Sequence, residues 1–211
     1  MTRFVELSHP LETGMPVYPG HPLVEFLPVD AEPPRQILRL QIGTHSGTHI
    51  DAARHFIPTG RTIDQYPLER FVVPTVIVAV RASRDHEIDW AALADATADV
   101  PKGGAILVQT GWDRHWGDQA MRHHPYLGIE ACENLVTAGV GLVGTDAVNV
   151  DCTSRRTTKA HEILLGHDVL IVENLTNLSQ IAHNAIVECA FVPLMLSGAD
   201  GSPIRAYARL A

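Results

Sequence analysis

An α/β domain on a mixed sheet is the fold that the sequence predicts. Two observations carry it: short apolar, β-branched runs recur along the chain, and stretches with helix caps fall between them. The chain has 211 residues, and no repeat, low-complexity tract or charged linker divides them, so 1–211 is expected to be one domain.

The segment from Gln36 to Ile42 alternates, with Leu38, Leu40 and Ile42 on one face and Arg39 and Gln41 on the other. That is the period of a half-buried strand, and it leads straight into Gly43-Thr44-His45. Further strands, mostly buried, are expected at Val72 to Val80, Ala105 to Gln109, Val140 to Val143, Val169 to Val172 and Ala185 to Leu196. Between them Asp89 can cap a helix over Trp90 to Ala98. A second helix over Ile129 to Ala138 ends at Gly139, and a third over Thr157 to Leu165 ends at Gly166. The N-terminal third reads as strand and loop.

Composition excludes several classes. With 16 basic against 24 acidic residues the net charge is −8, and no Lys/Arg-rich stripe occurs, so a nucleic-acid binder is not expected. No apolar run approaches the roughly 18 residues of a membrane helix, and no membrane partner is expected. The three cysteines, Cys132, Cys152 and Cys189, form no C-x-x-C pair, and Glu6 and His9 interrupt any N-terminal apolar stretch. A cytoplasmic location is expected. What stands out is 12 histidines.

Three of these, with an aspartate, fall in the segment His45-Ser46-Gly47-Thr48-His49-Ile50-Asp51-Ala52-Ala53-Arg54-His55, an H-x-x-x-H-x-D-x-x-x-H pattern. A helical H-E-x-x-H zinc site is rejected, because Ser46 stands where the glutamate belongs and Gly43 and Gly47 disfavour a helix. In an extended chain His45, His49 and Asp51 point to one side, and Gly47 leaves space for an ion. Two imidazoles and a carboxylate suit Zn²⁺ or Mn²⁺ with positions open for water and substrate. His55 then serves as a proton carrier, because histidine titrates near neutral pH.

A single histidine is more often a hydrogen-bonded surface or core residue, but this clustering reverses that expectation. Downstream, His161 sits on an expected helix and Glu173 ends an apolar run, where a buried carboxylate needs a cation or a partner. Each alone reads as an exposed position. Together with the upstream cluster they can hold a second metal if Asp51 bridges.

The string Gly43 to His55 resembles the H-x-G-T-H-x-D-A-x-x-H signature of the cyclase-like metal-dependent hydrolases, which include bacterial kynurenine formamidase and isatin hydrolase. Glu6-Leu7-Ser8-His9-Pro10-Leu11, Met15-Pro16-Val17-Tyr18-Pro19-Gly20 and His161…Glu173-Asn174-Leu175 extend the likeness over most of the chain. The resemblance implies a swivelling β/β/α fold, a mixed sheet curled into a barrel-like core with flanking helices, assembled as a homodimer or larger homo-oligomer. It implies that His45, His49 and Asp51 ligate one metal, His161 and Glu173 a second, with Asp51 bridging and His55 as catalytic acid/base. Tyr18 stands where the formamidases place a tryptophan against the aromatic substrate, His21 where they place an acid, and Ala53 where they often have proline.

The expected function is hydrolysis of an amide bond in a small, aromatic substrate by metal-activated hydroxide, with His55 moving the proton, as in arylformamidase. The expected cofactor is zinc, one or two ions per chain, or manganese. The alternatives are a one-metal hydrolase of the isatin type, opening a cyclic amide, and a non-catalytic metal-binding protein. Tyr18, Phe56, Trp112 and Trp116 are candidate walls of the substrate pocket, each equally open to plain core packing. Asp146 is read as a support for the site or as a helix cap.

Overall fold

The computed structural model describes residues 2–210. In chain order its strands are β1 (Arg3–Glu6), β2 (Glu25–Val29), β3 (Ile37–Gln41), β4 (His49–Asp51), β5 (Val72–Ala79), β6 (Glu87–Ile88) and β7 (Ala105–Gln109). They continue as β8 (Tyr126–Leu127), β9 (Leu142–Thr145), β10 (Leu170–Glu173), β11 (Ile186–Ala190), β12 (Gly201–Pro203) and β13 (Tyr207–Leu210). The α-helices are α1 (Ala94–Ala98), α2 (Ile129–Thr137) and α3 (Lys159–Gly166).

Nine of these strands form one mixed sheet in the order β1-β13-β11-β5-β7-β9-β10-β4-β12. The centre, β5 through β10, is parallel, and both flanks are antiparallel. Parallel strands buried on both faces read as continuous apolar runs, which is why these were visible in the sequence. Along β7, Ala105 and Leu107 enter one core while Ile106 and Val108 enter the other. The second core is covered by the helices, through residues such as Leu135 and Leu164. The first contains Val5 from the β1 end and Ile50 from the β4 end together with central Leu107, so the sheet is curled around it into a half-barrel.

Three expectations need correction. The apolar face of Leu38 and Leu40 is not half-buried: β3 pairs only with β2 in a separate ribbon, and both residues are more than 50% exposed. Alternation shows that two faces differ, not that either is covered. The run Ala185 to Leu196 breaks after Ala190, and the chain returns to the sheet only as β12. Helix α3 continues through Gly166 and stops where Asp168 takes φ 61°, a left-handed conformation that aspartate tolerates better than most residues.

Candidate metal centre

The site is assembled on β4, which lies between β10 and β12. Alternation along a strand sends Ile50 into the core and His49 and Asp51 to the opposite face. The β10 register then sets Glu173 opposite His49, and the β12 register sets Gly201 opposite Asp51. Close packing there requires glycine: a Cβ on Gly201 would stand 2.9 Å from His45 Cε1. Helix α3 brings buried His161 over this face, and the short 3-10 turn Ala53–His55 delivers His55.

His45 does not join the cluster through an extended chain. Residues 44–48 form a tight turn, with Ser46 N donating to the Gly43 carbonyl and Gly47 at φ 63°. Gly47 is not there to leave space for an ion. A Cβ at this position would meet Leu11 Cδ2 at 2.6 Å, and its carbonyl accepts bonds from His49 Nδ1 at 2.8 Å and Asn174 Nδ2 at 2.9 Å.

The donor atoms converge. His49 Nε2 stands 3.5 Å from Asp51 Oδ1 and 3.4 Å from Glu173 Oε2. His161 Nε2 stands 3.5 Å from Asp51 Oδ2 and 3.4 Å from Glu173 Oε1. Each carboxylate thus presents one oxygen to each imidazole. His45 approaches Asp51 Oδ1 through Nδ1 at 2.7 Å, and His45, His49 and Asp51 offer ligand atoms within 4.8 Å of one another.

These residues fit a divalent cation. Donors about 2.1 Å from a tetrahedral ion lie about 3.4 Å apart, which is the spacing of this ring. Asp51 Oδ2 is buried without a hydrogen-bond partner, an expensive state for a carboxylate oxygen unless a cation meets it. The outward nitrogens are fixed: His49 Nδ1 by the Gly47 carbonyl, and His161 Nδ1 by Asp151 Oδ2 at 2.8 Å. Both Nε2 atoms therefore aim inward, the tautomer a metal site requires.

Electrostatics point the same way. Burial works against ionisation of Asp51 and Glu173, but the surrounding histidines overcome it, holding Asp51 well below the usual range and Glu173 at about 2. Burial also opposes charge on His45, yet Asp51 and Asp200 raise it to about 10. Without a cation, His45 is a clamped imidazolium: Nδ1 on Asp51 and Nε2 on Asp200 Oδ2 at 2.9 Å.

Two residues that the sequence reading missed complete the arrangement. Asp200 Oδ2 receives both His45 Nε2 and His55 Nδ1, the latter at 3.2 Å. It arrives because the Ala52 amide bonds the Asp200 carbonyl at the start of the β4–β12 pairing. Asp151 bonds both the His161 backbone and its ring, and Oδ1 takes the Ala160 amide at the start of α3. An acid ahead of a helix start was the available signal for Asp151. For Asp200, in an Asp-Gly step that reads as a turn, there was none.

A cavity of about 250 Å³ opens over the cluster, walled by Tyr18, His21, Phe56 and Met121 among others. Phe56 stacks on His161 at 4.6 Å between centroids. Trp112 and Trp116 do not line this cavity: Trp112 is buried and donates its indole N–H to the Ala120 carbonyl, and Trp116 stacks on His9. Asp146 instead anchors the turn after β7, accepting from Thr110 N, Thr110 Oγ1 and Gly111 N, and burial raises its carboxyl to about 6.

Comparison with known proteins gives the family and the fold. Kynurenine formamidase of Maricaulis maris is 30% identical over 99% of both chains, and that of Paracidovorax citrulli is 30% identical over 97% of this chain and 95% of its own. Among solved structures, isatin hydrolase A from Labrenzia aggregata superposes with a TM-score of 0.88 at 24% identity, covering 99% of this chain and 94% of that one. An isatin hydrolase bound to thioisatinate gives a TM-score of 0.89 at 22% identity over 99% and 92%. At these identities the structural likeness is one of fold. The Cyclase family model matches residues 5–152, a span that includes the whole His45 to His55 segment, and the chain belongs to that family.

Proposed function

We propose that the chain, residues 1–211, is a single hydrolase domain that uses a divalent metal to cleave the amide bond of a small aromatic substrate, in the manner of an arylformamidase. The observation that carries this reading is the convergence of His49, His161 and Glu173 on buried Asp51, with His55 beside them in the wall of one cavity. Full-length likeness to kynurenine formamidases supports the same reaction class.

His49, Asp51, His161 and Glu173 would hold one ion, and His45, grouped with His49 and Asp51, would help to hold a second where two are bound; zinc is the first choice and manganese the next, because mixed imidazole and carboxylate donors accept either. Such a cation supplies Lewis-acid polarisation of the amide carbonyl and lowers the pKa of water to about 7. His55, steadied at Nδ1 by Asp200, carries the proton to the departing amine through Nε2. Tyr18 and Phe56 give the aromatic ring apolar walls.

The cytoplasm suits the three free, buried cysteines. Among the described residues no helix is long and apolar enough to cross a membrane. We further propose a homodimer, in which a second copy covers the apolar ribbon of Ile37, Leu38 and Leu40, all at least 50% exposed in the single chain. Light scattering tests it: a monomer at micromolar concentration overturns it.

The reaction is tested by loading the protein with zinc or manganese and assaying N-formylkynurenine, formanilide and isatin in parallel. Formate release from a formamide is expected. No release from either formamide with either metal, at full occupancy, overturns the reading.

A further inference from the structure

Beside the metal cavity lies a second cleft of about 560 Å³ that shares Tyr18, Thr157 and Thr158 with it. Its ionisable lining is Arg122, His123 and Arg156 besides the Tyr18 phenol, and no aspartate or glutamate lines it. His123 Nδ1 and Ser154 Oγ on this wall both meet the Asp85 carboxylate, at 2.9 and 2.5 Å, so the unpaired charge of the cleft is that of the two arginines. The arginine ion pairs of the described residues belong to Arg35, Arg61, Arg70, Arg205 and Arg209, so neither Arg122 nor Arg156 has a carboxylate partner among those residues.

The Arg156 backbone is held in a turn. It sits at φ 55°, a left-handed conformation in a non-glycine residue, and the turn is closed by Arg156 N on the Thr153 carbonyl and by Cys152 N on Thr157 Oγ1. Non-glycine backbone in this region costs energy and clusters at ligand-binding sites. The same turn leads into α3 and His161, so the Arg156 backbone and the metal cluster lie on one continuous segment.

We propose that Arg122 and Arg156 form an anion subsite that binds a carboxylate borne by the substrate on a tail away from the scissile amide. This rests on the hydrolase reading and narrows it to aryl amides that bear a carboxylate. Guanidinium groups suit the task, because their paired N–H groups match the two carboxylate oxygens.

The test is the Arg122→Gln/Arg156→Gln double variant. Its kcat/KM for N-formylkynurenine, which carries a carboxylate, is expected to fall about tenfold more than for formanilide, which does not. Equal losses on both substrates overturn the subsite. Calorimetry with phenylbutyrate and its neutral amide needs no turnover: wild type is expected to prefer the anion about tenfold or more, and the double variant to lose that preference. A preference that survives in the variant, or is missing in wild type, overturns the subsite. If wild type hydrolyses neither formamide, the hydrolase reading fails, while the calorimetry still decides the subsite.

Discussion

Glu173 and His49 face each other across the β10–β4 pair, with Glu173 Oε2 3.4 Å from His49 Nε2. The other oxygen of Glu173 serves His161 and accepts the Val150 amide at 2.9 Å. One carboxylate thus links a strand, a helix and a loop, and sheet register alone places it against the histidine motif.

Replacing Glu173 with Gln separates charge from shape. The glutamine can still accept the Val150 amide through its carbonyl oxygen, so the fold is expected to hold. Metal affinity is expected to fall by at least about tenfold, read as occupancy by elemental analysis across a zinc titration. Full occupancy at wild-type affinity would show that Glu173 is not needed to hold the ion.

Asp151 is the partner that orients His161, and Asp151→Asn weakens the acceptor that fixes its ring. Metal affinity or turnover is expected to drop by about 10- to 100-fold, the usual cost of losing such a partner. Helix α3 also loses charge at its N-terminus, so a lower Tm is expected alongside. A Tm loss with unchanged metal affinity would confine Asp151 to the helix.

Metal-free protein is expected to lose stability as pH rises above neutrality. His45 has its folded pKa raised to about 10, above the ordinary 6.5, so its clamp on Asp51 and Asp200 stabilises fully below pH 6.5 and fades as pH climbs to about 10. Glu173 shifts the opposite way, to about 2, so its contribution is present above pH 4.5 and lost as acid approaches pH 2. Thermal melts of chelator-treated protein are expected to fall by about 5 °C or more between pH 7 and pH 10. With metal bound, the ion takes the place of the His45 proton, and the decline should be much smaller. Parallel pH profiles for the two forms would remove His45 from that account.

The central strands and the His45 to His55 motif were legible because each is written in contiguous residues. Val76 to Val78 and Ala105 to Val108 carry their burial in their own side chains. What stayed hidden depends on pairing across the chain. Asp200 lies 155 residues from His45 and reaches it only through the β4–β12 ladder, whose second strand is the short Gly201–Pro203. Spacing suggested His45 as a metal ligand on an extended chain, whereas the fold places it in a turn and ties both its nitrogens to acids. The Trp112 indole, plausible as a pocket wall by type alone, is consumed by a bond to the Ala120 carbonyl.

His55 gives the sharpest separation of binding from chemistry. Its hydrogen bond goes to Asp200, and it stands within 4.8 Å of the Asp51 and His161 donor atoms without an ion pair to Asp51 or Glu173, so His55→Ala is expected to keep metal occupancy while turnover falls by about 10²-fold or more. Asp200→Asn keeps the shape but weakens the hold on His55 Nδ1; a smaller fall, about tenfold, is expected in kcat rather than in KM. Comparing the two variants at matched metal content isolates the proton step. Wild-type turnover in His55→Ala would exclude it as acid/base and leave proton transfer to another group in the cavity, of which His21, 6.0 Å from His45 between ring centroids, is the next to replace.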